Sequence, residues 1–424
     1  MESEMKAIED NKTWVVSDLP ANQKAIGLKW VFKVKKDPTG NIVKHKARLV
    51  AKGYAQRHGV DFDEAPRAWN AKLDKELIAL GFVKSKLEHA VYKRSNKKSL
   101  LLVEVYVDDL IISGPNVSDI KNFKQKMKKK FSMSDLGLLS YYLGIEVKQG
   151  EHGITLCQSG YTTKILESVG MTNCNPCATP MEARLKLSKQ NEGEVVDPTA
   201  YRSIIGSLRY LVNTRPDIAF TVGVVSRYME APGKEHWATV KHILRYLKGT
   251  VRFGCKYARN SELKPFLLGF SDNDFAGDVE DRKSTTGVVY FLGKSLVTWA
   301  SQKQKIVALS SCEAEYVAGA AAACQGIWLS RLVGDLMGTK ETPVKLLMDN
   351  MSAIALSKNP VHHDRSKHID TRYHFLCECI EEGKVEIDHV GTADQLADMF
   401  TKALGRVRFL ELRNELGVVE LQQV

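Results

Sequence analysis

The sequence predicts a multidomain chain of mixed α/β and α+β class, and three observations carry that expectation. Its 424 residues suit two or three domains of roughly 100–200 residues each. Over 28–35, apolar and polar positions alternate with a period of two, the signature of a half-buried strand. From about residue 262 a separate pattern of alternating strands and helices begins, beyond a Pro-containing polar stretch at 171–200. An apolar fraction of 44% with 26% charged residues belongs to globular protein and excludes wholesale disorder. No apolar run reaches about 18 residues, so no spanning helix is expected. The acidic start MESEMKAIED lacks the basic-then-apolar shape of a secretory signal. Eight scattered cysteines then read as reduced thiols in a cytoplasmic or nuclear setting, and Cys174 and Cys177, with no second pair near them, as ordinary small residues.

The net charge is +11, which points towards polyanion partners, nucleic acid first. Between 24 and 57 there are ten Lys and Arg against the single acid Asp37. Leu28, Trp30, Phe32 and Val34 alternate with Lys29, Val31, Lys33 and Lys35, which predicts a strand. Asp37-Pro38-Thr39-Gly40 predicts a turn into a second strand over 41–52. Lys33, Lys35, Lys44, Lys46, Arg48 and Lys52 are the candidate phosphate-backbone contacts of this hairpin, although a solvated face would have the same pattern. The segment SLLLVEVYVDDLIISG predicts two strands around a tight turn. A basic helix follows over 120–131, with Ser118-Asp119 as its expected cap. The pattern over 201–250 is helical.

Two sets of acids stand out. Asp108 and Asp109 fall at the tip of an otherwise apolar hairpin, where adjacent carboxylates are costly unless cations screen them; Asp also favours turns in its own right. The second set lies in the C-terminal third. A strand ends in Ser271-Asp272-Asn273-Asp274, a helix opens at Ser310-Ser311-Cys312-Glu313-Ala314-Glu315, and a strand over 344–348 ends in Asp349-Asn350. A last helix is expected from Thr392-Ala393-Asp394-Gln395, carrying Asp398. Ser310-x-x-Glu313 is a capping box, which leaves Glu315 free; Thr392-x-x-Gln395 has the same form, with Asp394 in the first turn. The functional set is therefore Asp272, Glu315, Asp349 and Asp398. Converging acids of this kind hold two divalent metals about 3.5–4 Å apart for in-line phosphodiester cleavage. Mg²⁺ suits them best, with Mn²⁺ as its substitute.

Taken together, these segments resemble the Pol polyprotein of copia-type LTR retrotransposons. NKTWVVSDLP, IGLKWVFKVKKDPTGNIVKHKARLVAKGYAQRHGVDFDE, PRAW and YVDDLIISG look like pieces of its reverse transcriptase. YRSIIGSLRYLVNTRPDIAF and HILRYLKGT resemble the segment joining polymerase to nuclease. SDNDFAGDVEDRKSTTGVVYFLG, VALSSCEAEYVA, MDNMSAIALSKNP, KHIDTRYHFL and TADQLADMFTKAL look like its ribonuclease H domain. The resemblance implies a truncated right-hand polymerase (fingers and palm) over 1–150, a thumb- or connection-like segment over 151–261, an RNase H-like mixed-sheet domain over 262–405, and a C-terminal helix and tail over 406–424. It makes Asp108 and Asp109 polymerase metal ligands, and gives Asp272, Glu315, Asp349 and Asp398 the nuclease metal-ligand roles. The implied partners are an RNA–DNA hybrid or an RNA or DNA template, with no membrane. His362, His363 and His368, between the third and fourth acids, are candidates to assist product release, or solvated side chains.

One departure from the family matters. After DFDE the family continues through a strand carrying a third polymerase carboxylate and on to a G-L-x-Q-A-P-R-A-W-like motif. Here Glu64 is joined directly to Ala65-Pro66-Arg67-Ala68-Trp69. The chain is therefore expected not to polymerise DNA, and an intact polymerase would need Asp61 or Asp63 to replace the lost acid. Opening at the fingers, without capsid, protease or integrase portions, it reads as a decayed or mis-spliced copy with a complete nuclease set. A nucleic-acid-binding remnant without catalysis is the alternative.

Overall fold

The computed structural model describes residues 5–6, 25, 27–36, 42–51, 68–96, 99–189, 196–259, 266–358 and 370–421. Lys52, Asp61, Asp63, the 64/65 junction, His362, His363 and His368 lie outside these residues, as does the turn at 37–40. The side chains of Lys33, Lys35, Lys44, Lys46 and Arg48 are likewise outside the description. The mixed α/β, multidomain class predicted from the sequence is the class observed, in two compact units divided at 123/124.

In the first unit, β1 (Leu28–Lys36) and β2 (Ile42–Ala51) form an antiparallel ribbon. Its register pairs Lys33 with Lys46 and Lys35 with Lys44. A second sheet contains β3 (Val83–Lys84), β4 (Val91–Asn96), β5 (Ser99–Tyr106) and β6 (Asp109–Ser113), each antiparallel to its neighbour. The predicted hairpin is β5–β6. The other two strands and the helix Ala68–Ala79 give 68–96 a structure for which the sequence offered no motif. Leu73, Leu77, Phe82, Tyr92, Leu101, Val103 and Phe123 are buried, with the Phe82 and Phe123 rings 5.1 Å apart. The basic helix runs over Val117–Lys130, and its cap differs from the expected Ser118-Asp119. The helix starts at Val117, so the Asn116 side chain takes the Ser118 N–H at 2.9 Å, while Asp119 accepts from Ser99 Oγ at 2.6 Å.

The second unit holds two five-stranded sheets. One is antiparallel in the order β16-β10-β9-β8-β7, from β7 (Tyr141–Tyr142), β8 (Ile145–Gly150), β9 (Gly153–Cys157), β10 (Phe253–Ala258) and β16 (Val418–Glu420). This sheet runs across the expected limits at 150/151 and 405/406. Helices Pro198–Leu211, Ala219–Val225 and Lys234–Gly249 supply the helical pattern of 201–250. The first is capped by Asp197, which accepts from the Thr199 and Ala200 N–H groups, with Pro198 at its start. Between them Arg215, 1% exposed, makes a bidentate pair with Asp217 at 2.9 and 2.7 Å, and Tyr246 donates to the same carboxylate at 2.5 Å. The described part of the Pro-rich stretch is irregular, yet Met181 and Leu187 are buried and Tyr228 donates to Leu187 O.

The other sheet has the order β13-β12-β11-β14-β15, from β11 (Leu267–Asn273), β12 (Thr285–Leu292), β13 (Ser295–Lys303), β14 (Val344–Met348) and β15 (Val385–His389). β11, β12 and β13 form an antiparallel meander, whereas β14 and β15 run parallel to β11. The helix Ser311–Met337 crosses one face, buried along much of its length and stopped by Gly338 at φ 67°. Among the described residues no helix is long and apolar enough to cross a membrane.

Candidate metal centre

Parallel pairing of β11 with β14 places Phe270 opposite Leu347. Two residues further along that register, Asp349 just past β14 comes level with Asp272 at the end of β11. Glu315 reaches them from the start of the second turn of the helix Ser311–Met337, whose start is fixed by Ser310: its Oγ accepts the Glu313 N–H at 3.1 Å. The Glu313 carboxylate turns back to accept the Leu309 N–H at 2.7 Å, so the acid assigned to the cap is occupied there. Asp272, Glu315 and Asp349 each offer an oxygen within 4.8 Å of the others.

Asp398 arrives differently from the expectation. No α-helix begins at Thr392; two short 3₁₀ turns, Thr392–Asp394 and Leu396–Phe400, take its place. The capping box fails because Gln395 is fully buried and used elsewhere. Its amide donates to Ser271 O at 2.9 Å, and its oxygen accepts the Ala397 N–H at 3.1 Å. Gln395 thereby fastens the second turn to β11 and starts it. Asp394 is exposed, whereas Asp398 is buried beside Asp272. Gly287, paired with Asp272 across β12, makes room for this turn. A Cβ there would stand 2.7 Å from Ala397 O and 2.7 Å from Thr401 Cγ2.

Three further residues of the site have no counterpart in the sequence reading. Lys402 places its Nζ 2.5 Å from Asp398 and 3.2 Å from Asp272. Thr401 donates to Asp272. Asn273 donates to one oxygen of Glu315 and accepts the Phe275 N–H at 2.9 Å. Only Lys402 left a signal, its i,i+4 spacing from Asp398. Asp274 is engaged locally, taking the Thr285 N–H at 2.5 Å.

Burial raises the affinity of Asp272, Glu315 and Asp349 for protons. It holds Asp272 above the ordinary carboxylate range, opposed by Lys402 and reinforced by Asp398. Burial, then Asp272 and Asp349, pushes Glu315 well up, and burial lifts Asp349 as well. Burial alone would lower Lys402, but the Asp272 and Asp398 charges outweigh it and hold the ammonium up. Among the described residues Glu315 Oε1 is buried with no hydrogen-bond partner. An orphaned carboxylate oxygen among other acids, all hard oxygen donors, fits a divalent cation such as Mg²⁺.

The hairpin pair is arranged otherwise. Tyr106 pairs with Asp109, leaving Val107-Asp108 as a two-residue turn with Val107 at φ 55°, a strained conformation for a β-branched residue. Asp108 and Asp109 are both exposed, and the four acids of the second unit are not.

The family model described as reverse transcriptase (RNA-dependent DNA polymerase) matches residues 11–66 and 63–183. The chain is 34% identical over 498 residues to the retrovirus-related Pol polyprotein from transposon TNT 1-94 of Nicotiana tabacum, covering 98% of this chain and 37% of that protein. It is 32% identical over 285 residues to the putative transposon Ty5-1 protein of Saccharomyces cerevisiae, covering 66% of this chain and 91% of that one. The chain thus spans about a third of the length of the tobacco polyprotein. Since fewer than all 424 residues align over 498, more than 74 residues of that relative lack a counterpart here. Among solved structures, RNase H1 isolated from compost aligns with 32% of this chain and 94% of its own, at 15% identity and a TM-score of 0.26.

Proposed function

The chain belongs to the retrovirus-related Pol polyproteins of copia-type transposons, and on that premise we propose that it acts as a divalent-cation-dependent ribonuclease on RNA–DNA hybrids. The observation that carries this reading is the convergence of Asp272, Glu315 and Asp349 around a buried, partnerless Glu315 oxygen. Asp272, Glu315, Asp349 and Asp398 would hold Mg²⁺ or Mn²⁺. When bound, the cation supplies a Lewis acid for the scissile phosphate and a water activated at neutral pH. The protein holds Asp272 and Asp349 in register through β11 and β14, brings Glu315 to them on the helix Ser311–Met337, and keeps Asp398 beside Asp272 through Gln395 and Lys402.

Polymerisation is the function we propose to be lost. The family model matches in two segments that meet at 63–66, and the unmatched residues of the tobacco relative fit a deletion at the 64/65 junction. That deletion would remove the third carboxylate, and Asp108 and Asp109 would remain as an exposed pair. The basic ribbon fits nucleic-acid contact: Lys33–Lys46 and Lys35–Lys44 are like charges at directly paired positions, an arrangement that a polyanion relieves. Lys52 and Arg48 would extend the same contact in a cytoplasmic or nuclear protein.

The test is cleavage of a labelled RNA–DNA hybrid by the full chain and by Asp349→Asn, with and without Mg²⁺. Cleavage that needs both Mg²⁺ and Asp349 is the expected result. Binding without cleavage in either protein would leave a nucleic-acid-binding remnant. Nucleotide incorporation on a primed RNA template above an Asp108→Asn control would overturn the loss of polymerase activity.

A further inference from the structure

We propose that the Lys402 ammonium takes the place of a second cation, so that the acidic site binds one divalent ion, among Asp272, Glu315 and Asp349. The inference rests on the nuclease reading and deepens it. Asp272 divides the site in two. Towards Glu315 and Asp349, oxygens of the three acids lie within 4.8 Å of one another, and the buried Glu315 Oε1 has no partner. Among the described residues no cationic side chain forms an ion pair with Glu315 on that side. Towards Asp398 a cation is already in place. Lys402 Nζ lies 2.5 Å from Asp398 Oδ1 and 3.2 Å from Asp272 Oδ2, and Thr401 donates to the same Asp272 oxygen.

A metal pair about 3.5–4 Å apart sharing Asp272 would need its second member between Asp272 and Asp398. An ammonium group within hydrogen-bond distance of both acids fills that position, and a divalent ion there would face a fixed like charge at contact distance. The lysine is tethered one helical spacing from Asp398, so dilution cannot remove it as it removes a free ion. Its side chain is 39% exposed, and the neighbouring Thr401 is buried against Asp272, which restricts how far residue 402 can withdraw.

The test is a count of tightly bound Mn²⁺ by electron paramagnetic resonance of the free ion, on the full chain and on Lys402→Met and Lys402→Arg. One ion is expected for the wild type, two for Lys402→Met, where the position opens, and one for Lys402→Arg, which keeps the charge. A merely structural lysine would leave the count unchanged in Lys402→Met. Two tight ions in the wild type, or one in a folded Lys402→Met, would overturn the inference and leave the nuclease reading standing. No tight ion in the wild type would overturn both. The wild-type count decides on its own if Lys402→Met does not fold.

Discussion

The hairpin acids and the buried acids meet opposite conditions in one chain. Asp108 and Asp109 are neighbours in sequence, exposed at a two-residue turn whose geometry depends on β5 and β6 alone. Asp272, Glu315, Asp349 and Asp398 come from two strands, a helix and a 3₁₀ turn, and meet only where those elements pack. A local motif survives the loss of its surroundings, because nothing distant has to hold it. A convergent one survives only with its domain. The presence of YVDD therefore says little about polymerase integrity, whereas the assembled buried set requires an intact sheet and helix beneath it.

The comparison is broken most severely at Gly287. Gly287→Ala puts a methyl group against Ala397 O and Thr401, so the turn bearing Asp398 must lift from β12. Overpacking of this kind costs about 1–3 kcal/mol. Hybrid cleavage should fall with it by roughly 10–100-fold, the usual loss when a ligand's support is disturbed. Urea unfolding and initial cleavage rates measure the two; a variant with wild-type values for both would show that close packing over Asp272 is not required.

Cation dependence sharpens the same contrast. Four acids, three buried and Asp349 half-buried, repel one another with one ammonium among them, so Mg²⁺ should stabilise the second unit, by ~2.7 kcal/mol at about 100 times its Kd. Thermal melts in Mg²⁺ against EDTA report this, and Asp349→Asn should abolish the difference. A wild-type melt indifferent to Mg²⁺ would remove the cation from the site.

A smaller effect separates acid sensitivity in the second unit from the metal centre. His236 is buried, its Nδ1 accepting the Gly233 N–H at 2.8 Å, so the proton sits on Nε2, which donates to Ser188 O at 3.0 Å. Burial depresses its pKa below the ordinary histidine value. The unfolded chain then binds a proton that the folded one resists, and stability falls as pH drops below about 6.5. In EDTA the raised carboxyls of the metal centre act in the opposite direction over pH 8 to 5, so the His236 contribution is read as the difference between the wild-type and His236→Gln melts, which should move against the wild type towards pH 5.

The smallest expected effect is at the hairpin. Asp108→Asn, at an exposed position, should change stability by no more than about 0.5 kcal/mol and leave hybrid cleavage at the wild-type rate. A marked loss of cleavage would tie the two acid sites together functionally.

Much of this was legible from residues alone. Period-2 alternation located β1, turn residues located β2, an apolar segment around a tight turn located β5 and β6, and apolar runs ending in acids located β11 and β14 close to their observed limits. The cap at Ser310 separated Glu313 from Glu315 correctly, because capping acts within four residues of chain. The same logic failed at Thr392 and at Ser118. Gln395 has a better partner in Ser271 O, 124 positions away, and the basic helix starts at Val117, three residues before the expected 120.

What the sequence determined by itself, then, is local: the strands, their terminal acids, the helix start beside Glu315, and a family motif set precise enough to single out four acids. What only the tertiary structure decided is which charges those acids meet. Lys402 between Asp272 and Asp398, Gly287 beneath the Asp398 turn, the Arg215–Asp217 pair and the pairing of β16 with β10 depend on contacts between chain-distant or differently oriented groups. Periodicity and capping report energies within one turn or one strand. Burial and charge pairing are set by whatever the folded chain brings alongside.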